Sequence, residues 1–182
     1  MSIVNKNDLL SSKRLLFEFL VCELDKWRLE IHLERTNLLT KLRLQKILFF
    51  VSTIYATRQR HILLDVFNNF YALPYGPVEL DIYDSMNKND FLYISIVGNN
   101  CIVKNTEKDF SVLNEEYKEI IIQSIAYLKD KYSNYLFRPA FELVDLTHRW
   151  SAWQIAMECA KVLGHNKAKL STEDILNSTK FY

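Results

Sequence analysis

Three glycines, three prolines and three cysteines are all that this 182-residue chain contains. So little glycine and proline excludes folds built from many tight turns and leaves a mostly helical reading. Cys22, Cys101 and Cys159 are odd in number, far apart and without a CxxC pair, which argues against a disulfide framework and against a cysteine-rich zinc site. They read as small buried hydrophobes. Long apolar runs are also missing: no stretch free of charged residues exceeds 13 residues, short of the ~20 that cross a bilayer as a helix. The N-terminus, MSIVNKNDLLSSKR, carries Asp8 and no apolar core ahead of a cleavage-like site, so it is not a secretory signal. These absences predict a cytoplasmic protein with no membrane partner. With a net charge of +1, nothing draws the whole molecule toward nucleic acid, and any electrostatic partner must meet a local patch.

What is present is an ordinary core composition, 49% hydrophobic and 13% aromatic. A domain of this size buries roughly two-thirds of its unfolded surface, so one compact domain spanning 1–182 is expected, with residues 1–11 as a short extension. Leu9, Leu16, Leu20, Leu24, Trp27 and Ile31 recur at steps of seven, four, four, three and four, predicting a helix from about 8 to 34. A second helix starts after Thr40, whose hydroxyl can accept from an unpaired amide, and runs through KLRLQKILFFVSTIYAT. Its middle is apolar nearly all round and belongs at the centre of the core.

HILLDVFNNFYAL, residues 61–73, is ambiguous between strand and irregular packing. Next comes YALPYGPVELDIYDSM, where all three of Pro74, Gly76 and Pro77 fall within four positions. Pro77 suits the first turn of a helix, Gly76 suits a cap or unusual dihedrals, and Glu79 and Asp81 place negative charge where a helix dipole favours it. The segment therefore reads as a loop ending in a helix start. FLYISIVGNNCIVK, 91–104, is a β-hairpin turning at Gly98, Asn99 and Asn100. Asn114 opens a helix with the stripe Tyr117, Ile120, Ile121, Ser124, Leu128 and Tyr132. Pro139 opens another through ELVDLTH, and Ser171 with Asp174 resembles a capping box before a last helix. No internal repeat or flexible linker interrupts this order. The fold class is mainly α (α+β), a compact helical bundle with a small β-hairpin.

Three stretches, taken in order, resemble the Panacea, or SocA-like, antitoxin domain of bacterial and prophage toxin–antitoxin loci. They are KLRLQKILFF (41–50), YGPVELDIY (75–83) and ELVDLTHRWSAW (142–153). Lys41, Leu42, Leu44, Gln45, Lys46 and Leu48 match the first block of that family, Gly76, Pro77 and Val78 the second, and Leu143, Thr147, His148 and Trp153 the third. STEDILNSTKFY fits its closing helix, so the resemblance spans roughly 12 to 182. One departure is that the family's tryptophan ahead of GPV is replaced here by Tyr71 and Tyr75 around Ala72, Leu73 and Pro74. The resemblance implies an antitoxin that binds a toxin encoded beside it and blocks it, or delivers it to a protease; composition and periodicity do not show this.

Read for chemistry, His148 has Asp145 three residues earlier on one helix face, a pair able to orient an imidazole, but no nucleophile motif accompanies it. The bland reading is a histidine bonded to backbone near a helix end. His32, His61 and His165 show no ligand spacing with it, so no metal and no cofactor is expected. Gln45 and Lys46, polar on a central helix, must be satisfied by hydrogen bonds, and the carbonyls of the 71–78 segment are the expected partners. Five basic residues (Lys41, Arg43, Lys46, Arg58, Arg60) and no acid lie between 36 and 64, while 65–90 holds five acids and only Lys88. Such blocks are usually solvated faces; a basic patch for an acidic partner or DNA is the alternative. Trp153 is expected in the core and Trp150 on the surface, where Trp and Arg149 would form a contact hot spot.

The expectation is a non-catalytic antitoxin that neutralises a cognate protein toxin by direct contact. Its tentative partner surface is Tyr75, Gly76, Asp81, Asp84, His148, Arg149 and Trp150, with Lys41, Gln45, Lys46, Pro77, Thr147 and Trp153 as motif positions. Nucleic acid is not an expected partner, and the leading alternative is a DNA-binding autoregulator of the same operon. A hydrolase using His148 and Asp145 ranks third.

Overall fold

The computed structural model describes residues 6–30, 39–131 and 135–182. Helix α1 spans Lys6–Glu30 and buries Leu16, Leu20, Leu24 and Trp27, four members of the expected stripe. Leu9 departs from it: it stands 52% exposed in the first turn, beyond the reach of the core. The helix also takes in residues 6–11 of the expected short extension, beginning two residues before the expected start at 8, whereas Ile31 and the expected end at 34 fall outside the described residues.

Helix α2, Lys41–Thr53, starts as its cap predicts, the Thr40 hydroxyl accepting from the Arg43 amide at 3.3 Å. Every residue from Arg43 to Thr53 is buried, which makes α2 the axis of the fold. It stops four residues short of the expected end, and the Lys180 ammonium donates there to the carbonyls of Thr53, Ile54 and Ala56 at 2.6, 3.2 and 2.6 Å. A cation at this position satisfies carbonyls that a helix end leaves unpaired.

The ambiguous segment divides into helix α3, Ile62–Val66, and strand β1, Phe70–Leu73. Strand β2, Gly76–Glu79, returns antiparallel to β1 with Tyr71 opposite Val78. This corrects the expectation for Pro77, which sits on a strand and not in a helical first turn. As β2 is the edge of its sheet, a missing N–H is tolerated there. Helix α4, Leu80–Lys88, begins three residues later with Glu79 as its cap, the carboxylate accepting from the Ile82 amide at 2.9 Å.

Strands β3 (Ile94–Val97) and β4 (Asn100–Val103) form the expected hairpin, Gly98 taking a φ of 61° in its turn. Helix α5, Glu115–Lys131, buries Ile120, Ile121, Ser124 and Leu128 as expected, while Tyr132 falls outside the described residues. A 3-10 turn at Tyr135–Phe137 leads to α6, Ala140–His148, and to α7, Ser151–Val162, a helix not anticipated from the sequence. Strand β5, Ala168–Lys169, pairs with the other side of β1, giving a small sheet in the order β2-β1-β5 that was also not anticipated. Helix α8, Thr172–Asn177, starts at Ser171, whose hydroxyl accepts from the Asp174 amide at 3.0 Å.

One hydrophobic cluster runs from Leu16 to Ile175. At its centre Phe49 meets Phe70 and Trp150 edge-on at 5.4 and 4.8 Å, and Phe50 meets Tyr135 and Tyr182 at 5.7 and 5.8 Å. Edge-to-face pairs set the positive ring edge against the negative face.

Of the two tryptophans, Trp150 departs from expectation, and Trp153 packs against the core as expected but only partly buried. Trp150 is fully buried, its indole N–H donating to the Phe181 carbonyl at 3.0 Å, whereas Trp153 is half-buried and donates to the Leu73 carbonyl at 2.9 Å. Cys22 and Cys101 are buried, with burial pushing their thiols up to about 11 and about 12; Cys159 is exposed on α7 and is not the buried hydrophobe expected. The basic block divides: Arg58 and Arg60 are exposed and Lys41 is partly exposed, as a solvated face requires, but two of its members are buried. Lys46 is fully buried, and Arg43, 6% exposed, donates to the Arg138 carbonyl at 2.8 Å.

Candidate functional site

The three motif stretches converge where α2, β2 and α6 cross. Lys46, buried along α2, donates from its ammonium to the Pro77 carbonyl at 2.8 Å, as expected of a polar residue facing the 71–78 segment. Burial disfavours the charged amine and lowers its pKa to about 7. Gly76 lies directly above: its φ of 91° is open to glycine and costly for other residues. A Cβ there would overlap the Thr147 hydroxyl and come within 3.0 Å of Lys46 Nζ. Thr147 is itself fixed, donating to the Val144 carbonyl at 2.7 Å. Lysine, glycine and threonine thus interlock on three elements.

Next to them, the Gln45 side-chain oxygen accepts from the Glu79 amide at 2.9 Å. The fully buried Glu79 carboxylate accepts from Lys13 of α1 at 2.8 Å and from the Asn69 amide at 3.2 Å. Burial raises its pKa, and the charge of Lys13 opposes that rise. Lys13 also reaches Asp81 at 2.6 Å, and the Asn69 side-chain amide donates to the other oxygen of Asp81 at 2.7 Å. Pairing two carboxylates with one buried ammonium ties α1 to the start of α4, and the sequence carried no signal for Lys13 in this role.

The framework holds one turn, Pro74–Tyr75, at the surface. Tyr75 is 61% exposed and meets Phe141 of α6, 64% exposed, edge-on at 6.3 Å. Beneath Tyr75 opens a cleft of about 530 Å³ lined by Leu42, Leu73, Pro74, Val78 and Tyr83, with Lys41 and Gln45 at its polar end. Phe141 and Tyr83 were missed in the sequence because Phe141 lies just outside the third motif stretch and Tyr83, the last residue of the second, is not one of its matching positions. An apolar helix position that ends up exposed carries no sequence signature of its own.

Of the expected surface residues, Tyr75 borders the cleft, and Asp84 is exposed beside Tyr83 on α4. Asp81 is occupied by Lys13 and Asn69. Gly76 and Trp150 are buried and offer nothing to a partner, a correction that follows from their packing against Thr147 and Phe49. Arg149 is exposed at the end of α6. His148 stacks on Trp153 at 3.8 Å and 14°, and its Nε2 is buried with no hydrogen-bond partner among the described residues. Burial foremost, with the nearby charge of Lys46, lowers its pKa, while the Pro74 carbonyl and Asp145 act the other way. The stack fixes His148 to the same turn that Trp153 grips through Leu73. Among the described residues no group of three His, Cys, Asp or Glu is placed to hold a metal ion, and no helix is long and apolar enough to cross a membrane.

Residues 44–154 match the family described as antitoxin SocA-like, Panacea domain, and the chain belongs to that family. The match contains Gln45, Lys46, Gly76, Pro77, Thr147, His148 and Trp153, the residues that meet in the crossing described above. It is narrower than the 12–182 of the expected resemblance and leaves α1 and α8 outside. No curated protein and no solved structure matches the chain.

Proposed function

We propose that this chain is a cytoplasmic antitoxin of a toxin–antitoxin pair, acting without catalytic turnover by direct contact with a protein toxin encoded by an adjacent gene. The observation that carries the reading is the Tyr75–Phe141 pair, two aromatic rings each about two-thirds exposed at the mouth of an apolar cleft. Large rings left in water on a rigid turn are the residues that supply binding energy when a partner covers them. The turn is rigid because Lys46, Gly76 and Thr147 fix its far side and Trp153 its near side. Asp84 borders this face and Arg149 ends the helix that carries Phe141; both serve as rim contacts. Delivery of the toxin to a protease is the finer variant of the same contact.

Co-expression with each neighbouring open reading frame tests this, with growth and co-purification scored together. A toxic neighbour whose effect this chain relieves, and which co-purifies with it, is the expected result. If no neighbour is neutralised or co-purifies, the proposal fails.

A further inference from the structure

The cleft beneath Tyr75 has apolar walls, formed by Leu42, Leu73, Val78 and Tyr83, and one polar end, where Lys41 of α2 stands beside Asn99 of the β3–β4 turn. Lys41 is the single charged residue in the lining. Its ammonium donates to the neutral Asn87 side chain at 3.1 Å and enters no ion pair among the described residues. The first turn of α2 holds no acid, so the positive end of that helix adds to the charge of Lys41. Asp84, the acid next to Tyr83, lies outside the lining. Gln45 is already occupied, its side-chain amide accepting from the Glu79 N–H at 2.9 Å and donating to the Glu79 carbonyl at 3.5 Å. A cation without an anion, at the end of an apolar cleft of about 530 Å³, complements a ligand that is apolar along its length and anionic at its tip.

We propose that this cleft takes the C-terminal end of the partner protein, one or two large apolar side chains with the free carboxylate on Lys41. In naming that partner the inference rests on the antitoxin reading. A chain end suits the cleft better than an internal Asp or Glu does. An internal segment brings a peptide group on each side of the acid, and with Gln45 occupied the walls offer little to pair with those groups. A terminal carboxylate needs the cation and brings only one peptide link with it.

Titration of the full chain with N-acetyl-phenylalanyl-leucine, followed through the backbone amide resonances of Leu42, Val78 and Asn99, tests this. Those resonances shift with the free acid, and the C-terminal amide of the same peptide binds about fivefold more weakly. Lys41→Met, at a partly exposed position, abolishes the difference with an unchanged circular dichroism spectrum, and Lys41→Arg retains it. No shift at these amides up to about 10 mM peptide overturns the proposal. So does equal binding of the peptide amide, or of N-acetyl-aspartyl-phenylalanine amide, whose acid is on a side chain. With a neutralised toxin in hand, Lys41→Met weakens that complex by about fivefold as well. An unchanged complex overturns this inference and leaves the antitoxin reading standing, whereas a chain that binds the free acid but no toxin overturns that reading alone.

Discussion

Thr147 and Gly76 stand so close that the hydroxyl of one occupies the space where the other would carry a side chain. The contact joins α6 to β2 within the matched family region, and Lys46, near the start of that region, completes it from α2.

Gly76→Ala is therefore expected to destabilise strongly, by about 3 kcal/mol or more, combining positive-φ strain with overlap at Thr147. Thr147→Ala relieves the overlap and leaves the strain, so Gly76→Ala costs less in a Thr147→Ala background. Urea denaturation of the four proteins gives the coupling; strict additivity would mean that the overlap is absent.

Lys46 imposes a pH dependence. Below about pH 7 its amine is charged in both folded and unfolded chains, and its destabilising effect is constant. Above that, the folded chain holds it neutral while the unfolded chain keeps the proton up to about pH 10. The unfolded state then binds more protons, and stability rises with pH at up to about 1.4 kcal/mol per unit. Cys22 and Cys101, with raised thiols, oppose this above about pH 8.5, so the wild-type curve is read against Lys46→Met. The difference between the two curves should climb between pH 7 and 10; a flat difference would show that Lys46 does not titrate there.

Removing Lys13 leaves Glu79 buried without a cation. Lys13→Met is expected to cost about 3–5 kcal/mol, the usual result of breaking a buried pair from one side. Asp81→Asn, which leaves Lys13 paired with Glu79, should cost about 1 kcal/mol. Equal effects in thermal or chemical denaturation would assign the anchoring role to Asp81 instead.

Tyr75→Ala and Phe141→Ala separate binding from folding. Both rings are mostly in water, so stability should change by no more than about 0.5 kcal/mol each. Affinity for a toxin partner should fall by about tenfold or more. Calorimetric titration of the purified pair reads this directly, and unchanged affinity in both variants would move the docking face elsewhere.

Much of the framework was legible in the chain. Thr40 and Ser171 announce their helices because a hydroxyl beside an unpaired amide is a local interaction, and the 98–100 turn is legible because glycine and asparagine tolerate its backbone. Pro77 misled because proline is equally at home in a helical first turn and on an edge strand, and only the pairing with Ala72 distinguishes the two. Trp150 misled for a related reason: it stands three residues before Trp153, and how deeply each turns inward depends on where α6 ends and α7 begins.

The sequence by itself determined the helical class, the positions of most helix starts, the hairpin and the three motif stretches, because capping, periodicity and turn chemistry act over a few residues. The tertiary structure decided that Lys46 is buried under Gly76, that Lys13 pairs with Glu79 sixty-six positions away, and that Tyr75 and Phe141 meet in water. Those relationships depend on long-range packing around α2, where burial and charge are set by neighbours that no local pattern names.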